Sequence, residues 1–178
     1  MRLKSAPATP QRFDLAQVDW QRTRAWADGG YYGRIYINRQ GREPRGQVPA
    51  EQYEPLREDL IRRLEQLETP AGRRLENHVV RPEDVYETVS GFPPDLFLLV
   101  DDLRYRCVSR VGHAELFLHG AAVGAETATH AADGLHILSH PDLTSRRCDA
   151  RIYDVMPTAL HLLGLDVPRG LTGRVLVD

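Results

Sequence analysis

Apolar side chains recur every three or four positions from Ala50 to Leu67: Tyr53, Leu56, Leu60, Leu64 and Leu67. That spacing lays them along one stripe of an α-helix, and Arg57, Glu58, Arg62, Arg63, Glu65 and Gln66 fill the other faces. Pro49 can open this helix, Pro55 must lie in or near its first turn or kink it, and Thr69-Pro70-Ala71-Gly72 ends it. The pattern changes to near alternation in Tyr31 to Asn38 (Y-Y-G-R-I-Y-I-N), which predicts a strand. Gly33 inside it marks a bulge or a close backbone approach. Asp95 to Val100 (D-L-F-L-L-V) is a continuous apolar run, the pattern of a strand buried on both faces of a parallel sheet. Leu135 to Leu138 is a second short apolar run, bounded by Asp133-Gly134 and by Ser139-His140-Pro141, and predicts another buried strand. A second helix is expected after Asp154, a good N-cap. Pro157 lies in its first turn, Ala159, Leu160, Leu162 and Leu163 are apolar, and Gly164 is the stop.

The stretches between these elements read as connections. Met1 to Gln17 has no periodicity and predicts a flexible arm. Asp28-Gly29-Gly30 is a turn by its glycines, and Gln40 to Gly46 is a tight loop. Phe92-Pro93-Pro94 is a rigid link, and Arg104 to Gly124 is an irregular excursion. Strands of buried and half-buried type alternate with helices, so the expected class is α/β, with one domain over 18–178 after the arm.

Composition narrows the function classes. The chain has 178 residues, enough for one domain with a real core, and a formal net charge of −2, which leaves no basic face for nucleic acid. Cys107 and Cys148 lie far apart without C-x-x-C spacing, as expected of free thiols in a reducing compartment. Met1 to Gln11 lacks the apolar core of a secretory signal, and no run approaches the length of a membrane span. The expected location is cytoplasmic.

The candidate chemistry centres on Thr129 to Pro141 (T-H-A-A-D-G-L-H-I-L-S-H-P), which reads as a turn presenting His130 at the mouth of a strand. Five histidines fall between His113 and His140. His119, His136 and His140 are either further metal ligands or hydrogen-bonded loop histidines, and no carboxylate or cysteine stands at ligand spacing to them. Arg42 and Glu43 are either a functional pair or a local ion pair on an exposed loop. Tyr31, Tyr32, Arg34 and Arg42 either line a phosphate-bearing cleft or are core tyrosines and solvated arginines.

The order of several pieces resembles the C-terminal part of the alkaline phosphatase superfamily, in its type I phosphodiesterase/nucleotide pyrophosphatase branch. The pieces are Val18-Asp19-Trp20 with Thr23-Arg24-Ala25-Trp26, Gly29-Gly30-Tyr31-Tyr32, Ile35-Tyr36-Ile37-Asn38, and Gly41-Arg42-Glu43-Pro44-Arg45-Gly46. Pro94-Asp95-Leu96, Gly112-His113, His130 to Leu138 and Asp154 to Leu160 with Leu162-Leu163-Gly164-Leu165 complete the series. The resemblance implies an alkaline-phosphatase-like sandwich with a mixed, mostly parallel sheet and flanking helices. It also implies a two-metal phosphohydrolase that cleaves phosphate esters and diesters with zinc or another divalent metal. His130 matches the family's last metal ligand, and Arg42, Tyr32 and His113 are the expected substrate-binding residues.

The family's nucleophile and its other ligands lie N-terminal to the matching stretch, so no catalytic residue is assigned in this chain. It is expected to need a partner chain that carries them. The strand after His130 runs into Ser139-His140-Pro141-Asp142 where the family has a G-P-G-like turn. Two other readings stand beside this one: a non-catalytic binding or assembly module on the same scaffold, and a reaction of the chain's own built on the extra histidines.

Overall fold

The computed structural model describes residues 1–5, 7–118, 128–141, 143–144 and 147–177. They fall into two compact units, Met1–Ala132 and Asp133–Asp178.

In the first unit, β1 (Gln11–Arg12) pairs antiparallel with a short strand at Arg110–Val111. The N-terminal segment predicted as an arm is tied back further: Leu3 bridges Val18, and the Asp19 amide donates to the Arg2 carbonyl at 2.9 Å. A four-stranded sheet follows, built from β2 (Ala25–Asp28), β3 (Gly33–Ile37), β4 (His78–Val80) and β5 (Leu96–Leu99) in the order β2-β3-β5-β4. The Arg110–Val111 strand is β6. Every pairing in both sheets is antiparallel, so the expected mostly parallel sheet of an alkaline-phosphatase-like sandwich is corrected.

The register explains why the apolar run at β5 misleads. Gly33, Ile35, Leu96, Leu98 and Val79 share one face, since Gly33 lies opposite Leu98 and Ile35 opposite Leu96. α1 (Ala50–Glu65) covers that face with Leu60, Ile61 and Leu64. Its bounds are close to those its apolar stripe predicts. Pro55 lies in its second turn, where the missing N–H leaves the Glu51 carbonyl without its helical donor.

On the other face lie Trp26, Tyr36 and Phe97, and aromatic rings rather than helices cover it. Trp26 and Tyr36 stack at 5.2 Å, Phe92 stacks on Tyr36 at 5.7 Å, and Trp20 meets Trp26 edge-on at 5.0 Å. A half-buried Phe97 therefore needs no parallel sheet or second helix layer to account for it.

A short helix, α2 (Pro82–Val85), is tied to α1 by the Arg57–Glu83 ion pair at 2.5 Å. Beyond β5, Asp101, Asp102 and Leu103 all take positive φ, between 51° and 64°. Buried Asp101 holds this hairpin: its carboxylate accepts from Arg73 at 3.0 and 2.8 Å and from the Glu76 amide at 3.0 Å. The Arg73 guanidinium holds that carboxyl down to about 2.

The second unit contains α3 (Val155–Leu162), closed by Gly164 at φ 67°. Asp154 makes no side-chain cap on α3. Its carboxylate instead accepts from the amides of Arg151 and Arg174, each at 2.8 Å. Thr158 accepts from the Leu176 amide at 3.1 Å, so the tail is fastened to the helix by polar groups. Leu135–Leu138 forms no strand: no ladder pairs it among the described residues, and Leu135 and Ile137 are 89% and 86% exposed. Among the described residues, no helix is long and apolar enough to cross a membrane.

Candidate functional site

The glycine turn between β2 and β3 is the most tightly held loop near the predicted site. The Gly29 amide donates both to Asp28 Oδ1 at 3.0 Å and to Ser109 Oγ at 2.8 Å, and the Ser109 hydroxyl donates in turn to Asp28 Oδ1. The Gly30 amide donates to the Cys107 carbonyl at 2.8 Å. Arg34 closes the loop from β3, donating to Asp28 Oδ2 at 2.5 Å. A Cβ on Gly29 would stand 2.7 Å from the Val108 carbonyl carbon, so only glycine allows the backbones to approach this closely. The thiol of Cys107 is pushed up by burial, which keeps it protonated.

This turn presents Tyr31, and Tyr31 meets His130. Their ring centroids are 3.8 Å apart with the planes tilted by 55°. His130 is exposed, and its segment is in neither helix nor strand, so the backbone ladder does not orient it. Tyr32, the next residue, is 44% exposed and packs edge-on against Phe97 at 5.7 Å.

Arg42, a predicted substrate contact, belongs to a different arrangement at the other end of β3, roughly 17 Å away for five extended residues. Its Nε donates to Glu43 at 2.7 Å, its Nη1 and Nη2 grip Asp95 at 2.7 Å each, and Nη2 also reaches the Ile37 carbonyl at 2.7 Å. A guanidinium has five N–H donors, so at most one remains for a ligand. Asp95 is 3% exposed and also accepts from Tyr53 Oη and from the Ile37 amide, both at 2.5 Å. Burial, and then this hydrogen bond, pushes the Tyr53 phenol up to about 12. The Asp95 carboxylate holds the Arg42 guanidinium above its usual range. Within this unit Arg42 is a clamp joining the loop after β3 to the start of β5. Sequence reasoning left Asp95 unpartnered; a carboxylate leading straight into an apolar strand was the available sign that a cation must meet it.

The remaining candidates are scattered. His113 Nε2 is enclosed without a hydrogen-bond partner among the described residues. His119 lies outside the described residues. His136 Nε2 sits 3.9 Å from Cys148 Sγ, a pairing that no sequence spacing announced. Both cysteines are free thiols. Among the described residues, no group of three or more histidine, cysteine, aspartate or glutamate side chains is arranged to hold a metal ion. His130 can therefore offer one imidazole nitrogen, and a closed four-ligand zinc site needs groups from outside this set. The structure thus brings Tyr31 to His130, and leaves Arg42 and Tyr32 on separate parts of the same sheet. No protein-family profile matches the chain, and no curated protein or solved structure matches it significantly.

Proposed function

We propose that the chain is the C-terminal part of a metal-dependent phosphohydrolase acting on phosphate esters or diesters. A partner chain completes it by bringing the nucleophile and the other metal ligands. One observation carries this reading: the second unit exposes the apolar side chains that a neighbouring sheet would cover. Leu135 and Ile137 are almost bare, and Ile152, Val155, Met156 and Leu163 are each more than half exposed. Exposed apolar side chains in this number are available to a partner's surface. His130 is consistent with the same assembly, being open to solvent and bound by no hydrogen bond or ion pair among the described residues. A divalent metal held there by His130 and the partner's ligands would supply Lewis-acid stabilisation of charge on phosphorus. This chain's contribution is to hold the imidazole and to seat the partner.

The test is co-purification with the candidate partner, followed by zinc-dependent release of nitrophenol from bis(4-nitrophenyl) phosphate. His130→Ala in the complex should cut the rate on the order of 100-fold, the upper end of what even groups outside the ligand shell cost. An unchanged rate would overturn the assignment. The competing reading, a non-catalytic binding module, draws on the self-contained core of the first unit. It predicts a partner complex of normal affinity with no hydrolysis at all.

A further inference from the structure

We propose that Asp133-Gly134 is a self-modification site, where the aspartate converts through a cyclic imide to isoaspartate, and that the fold spares the other Asp-Gly bond of the chain, Asp28-Gly29. These are the two Asp-Gly pairs in the sequence. Neither a partner chain nor a metal enters the reaction, so it stands apart from the phosphohydrolase reading.

The chemistry needs only the two residues and water. The Gly134 nitrogen bonds to Asp133 Cγ and closes an imide ring, and the nitrogen's proton leaves with the hydroxyl of the carboxylic acid as water. Water then adds back. Breaking the bond from nitrogen to the side-chain carbonyl restores aspartate. Breaking the bond to the main-chain carbonyl leaves the backbone running through Cγ, with the carboxylate on Cα. Ring closure requires the nitrogen's electron pair to be aimed at Cγ, and a backbone free to swing it there. Glycine suits both needs, because no side chain screens its nitrogen or restricts its torsions.

Asp133-Gly134 meets these conditions. Both residues are exposed and lie in neither helix nor strand. The Asp133 carboxylate and the Gly134 amide have no hydrogen-bond or ion-pair partner among the described residues. Ring closure there sacrifices no bond of the fold.

Asp28-Gly29 fails them. Asp28 ends β2 and is paired in register with Arg34. Its Oδ2 accepts from Arg34 at 2.5 Å, and its Oδ1 accepts from the Ser109 hydroxyl. The Gly29 amide donates to Asp28 Oδ1 at 3.0 Å and to Ser109 Oγ at 2.8 Å, so the nitrogen presents its proton, not its electron pair, to the carboxylate. Closing a ring at this bond would break the ion pair and these hydrogen bonds together.

The experiment ages the full chain in neutral buffer, native and in urea, and maps isoaspartate in its tryptic peptides by electron-transfer fragmentation. In the native chain isoaspartate should accumulate at Asp133. At Asp28 it should form on the order of 100-fold more slowly, the cost of holding reacting groups out of line. In urea the two bonds should convert at similar rates. Gly134→Val should suppress conversion at Asp133 and leave Asp28 as it was. Ser109→Ala, with folding checked by circular dichroism, should raise conversion at Asp28. An Asp133 that stays intact in the native chain would overturn the site. Equal native rates at the two bonds, or an Asp28 as slow in urea as in the native chain, would overturn the protection.

Discussion

Met1–Ala132 and Asp133–Asp178 both expose large apolar side chains, but they differ in what they bury. The buried hydrophobic residues of the described chain (Val18, Trp26, Ile35, Ile37, Val48, Leu75, Leu96 and Leu98) all belong to the first unit. The buried residues at the start of α3 are Asp154, Pro157 and Thr158, and hydrogen bonds join Asp154 and Thr158 to the tail, while Ile152, Val155, Met156 and Leu163 are exposed. Apolar burial is the main force available to a domain of this size. The first unit therefore has the means to fold by itself. The second has local polar fastenings, and several of its large apolar side chains are exposed.

The sharpest way to break that comparison is at Asp95. Asp95→Ala leaves Arg42, Tyr53 and the Ile37 amide without their shared acceptor, and should destabilise the first unit by about 3–5 kcal/mol in urea unfolding. A loss below about 1 kcal/mol would mean that the clamp is not what joins the loop to the sheet.

A paired measurement comes next. Leu96→Ala in the core should cost about 2–5 kcal/mol, whereas Ile137→Ala should change stability by less than about 0.5 kcal/mol. Comparable losses at the two sites would show that Ile137 is covered in solution, and the contrast between the units would fall.

The smallest expected effect is on acid stability. Asp101 ionises at about 2 in the folded chain against an ordinary 3.8. Because the folded value is the lower one, the unfolded chain takes up the proton first. The stabilisation is whole above about pH 4 and is lost as pH falls towards 2. Asp101→Asn should flatten that part of the unfolding profile and leave the neutral region's slope unaltered.

Local pattern carried much of the fold and little of the site. α1 was legible because five apolar residues keep its period, and β3 because its Ile35 and Ile37 alternate with Arg34 and Tyr36. β5 was legible as a strand but not as antiparallel. Its direction is decided by pairing with β3 and β4, and Phe97 disguises the alternation by being apolar on the aromatic face. Leu135–Leu138 has a strand's composition, but a strand also needs a neighbour, and a run of four residues cannot say whether one exists. At the site, the contact between Tyr31 and His130 joins residues almost a hundred positions apart, and nothing in either segment's spacing reports the other. Arg42 was read beside Glu43, and the ion pair between these neighbours forms; that the same guanidinium also grips Asp95 depended on the fold.

Three successive left-handed residues after β5 also bear on how this chain can drift. Asp101 and Asp102 are side chains that tolerate the left-handed region, but Leu103 is not, and it carries a penalty of about 1–2 kcal/mol there. Glycine or asparagine could enter at Leu103 with relief rather than cost, while valine or isoleucine is shut out at all three positions. The hairpin tip is thus a stretch whose future alphabet is narrowed by backbone shape, and at Asp101 by its bonds to Arg73 and Glu76 as well.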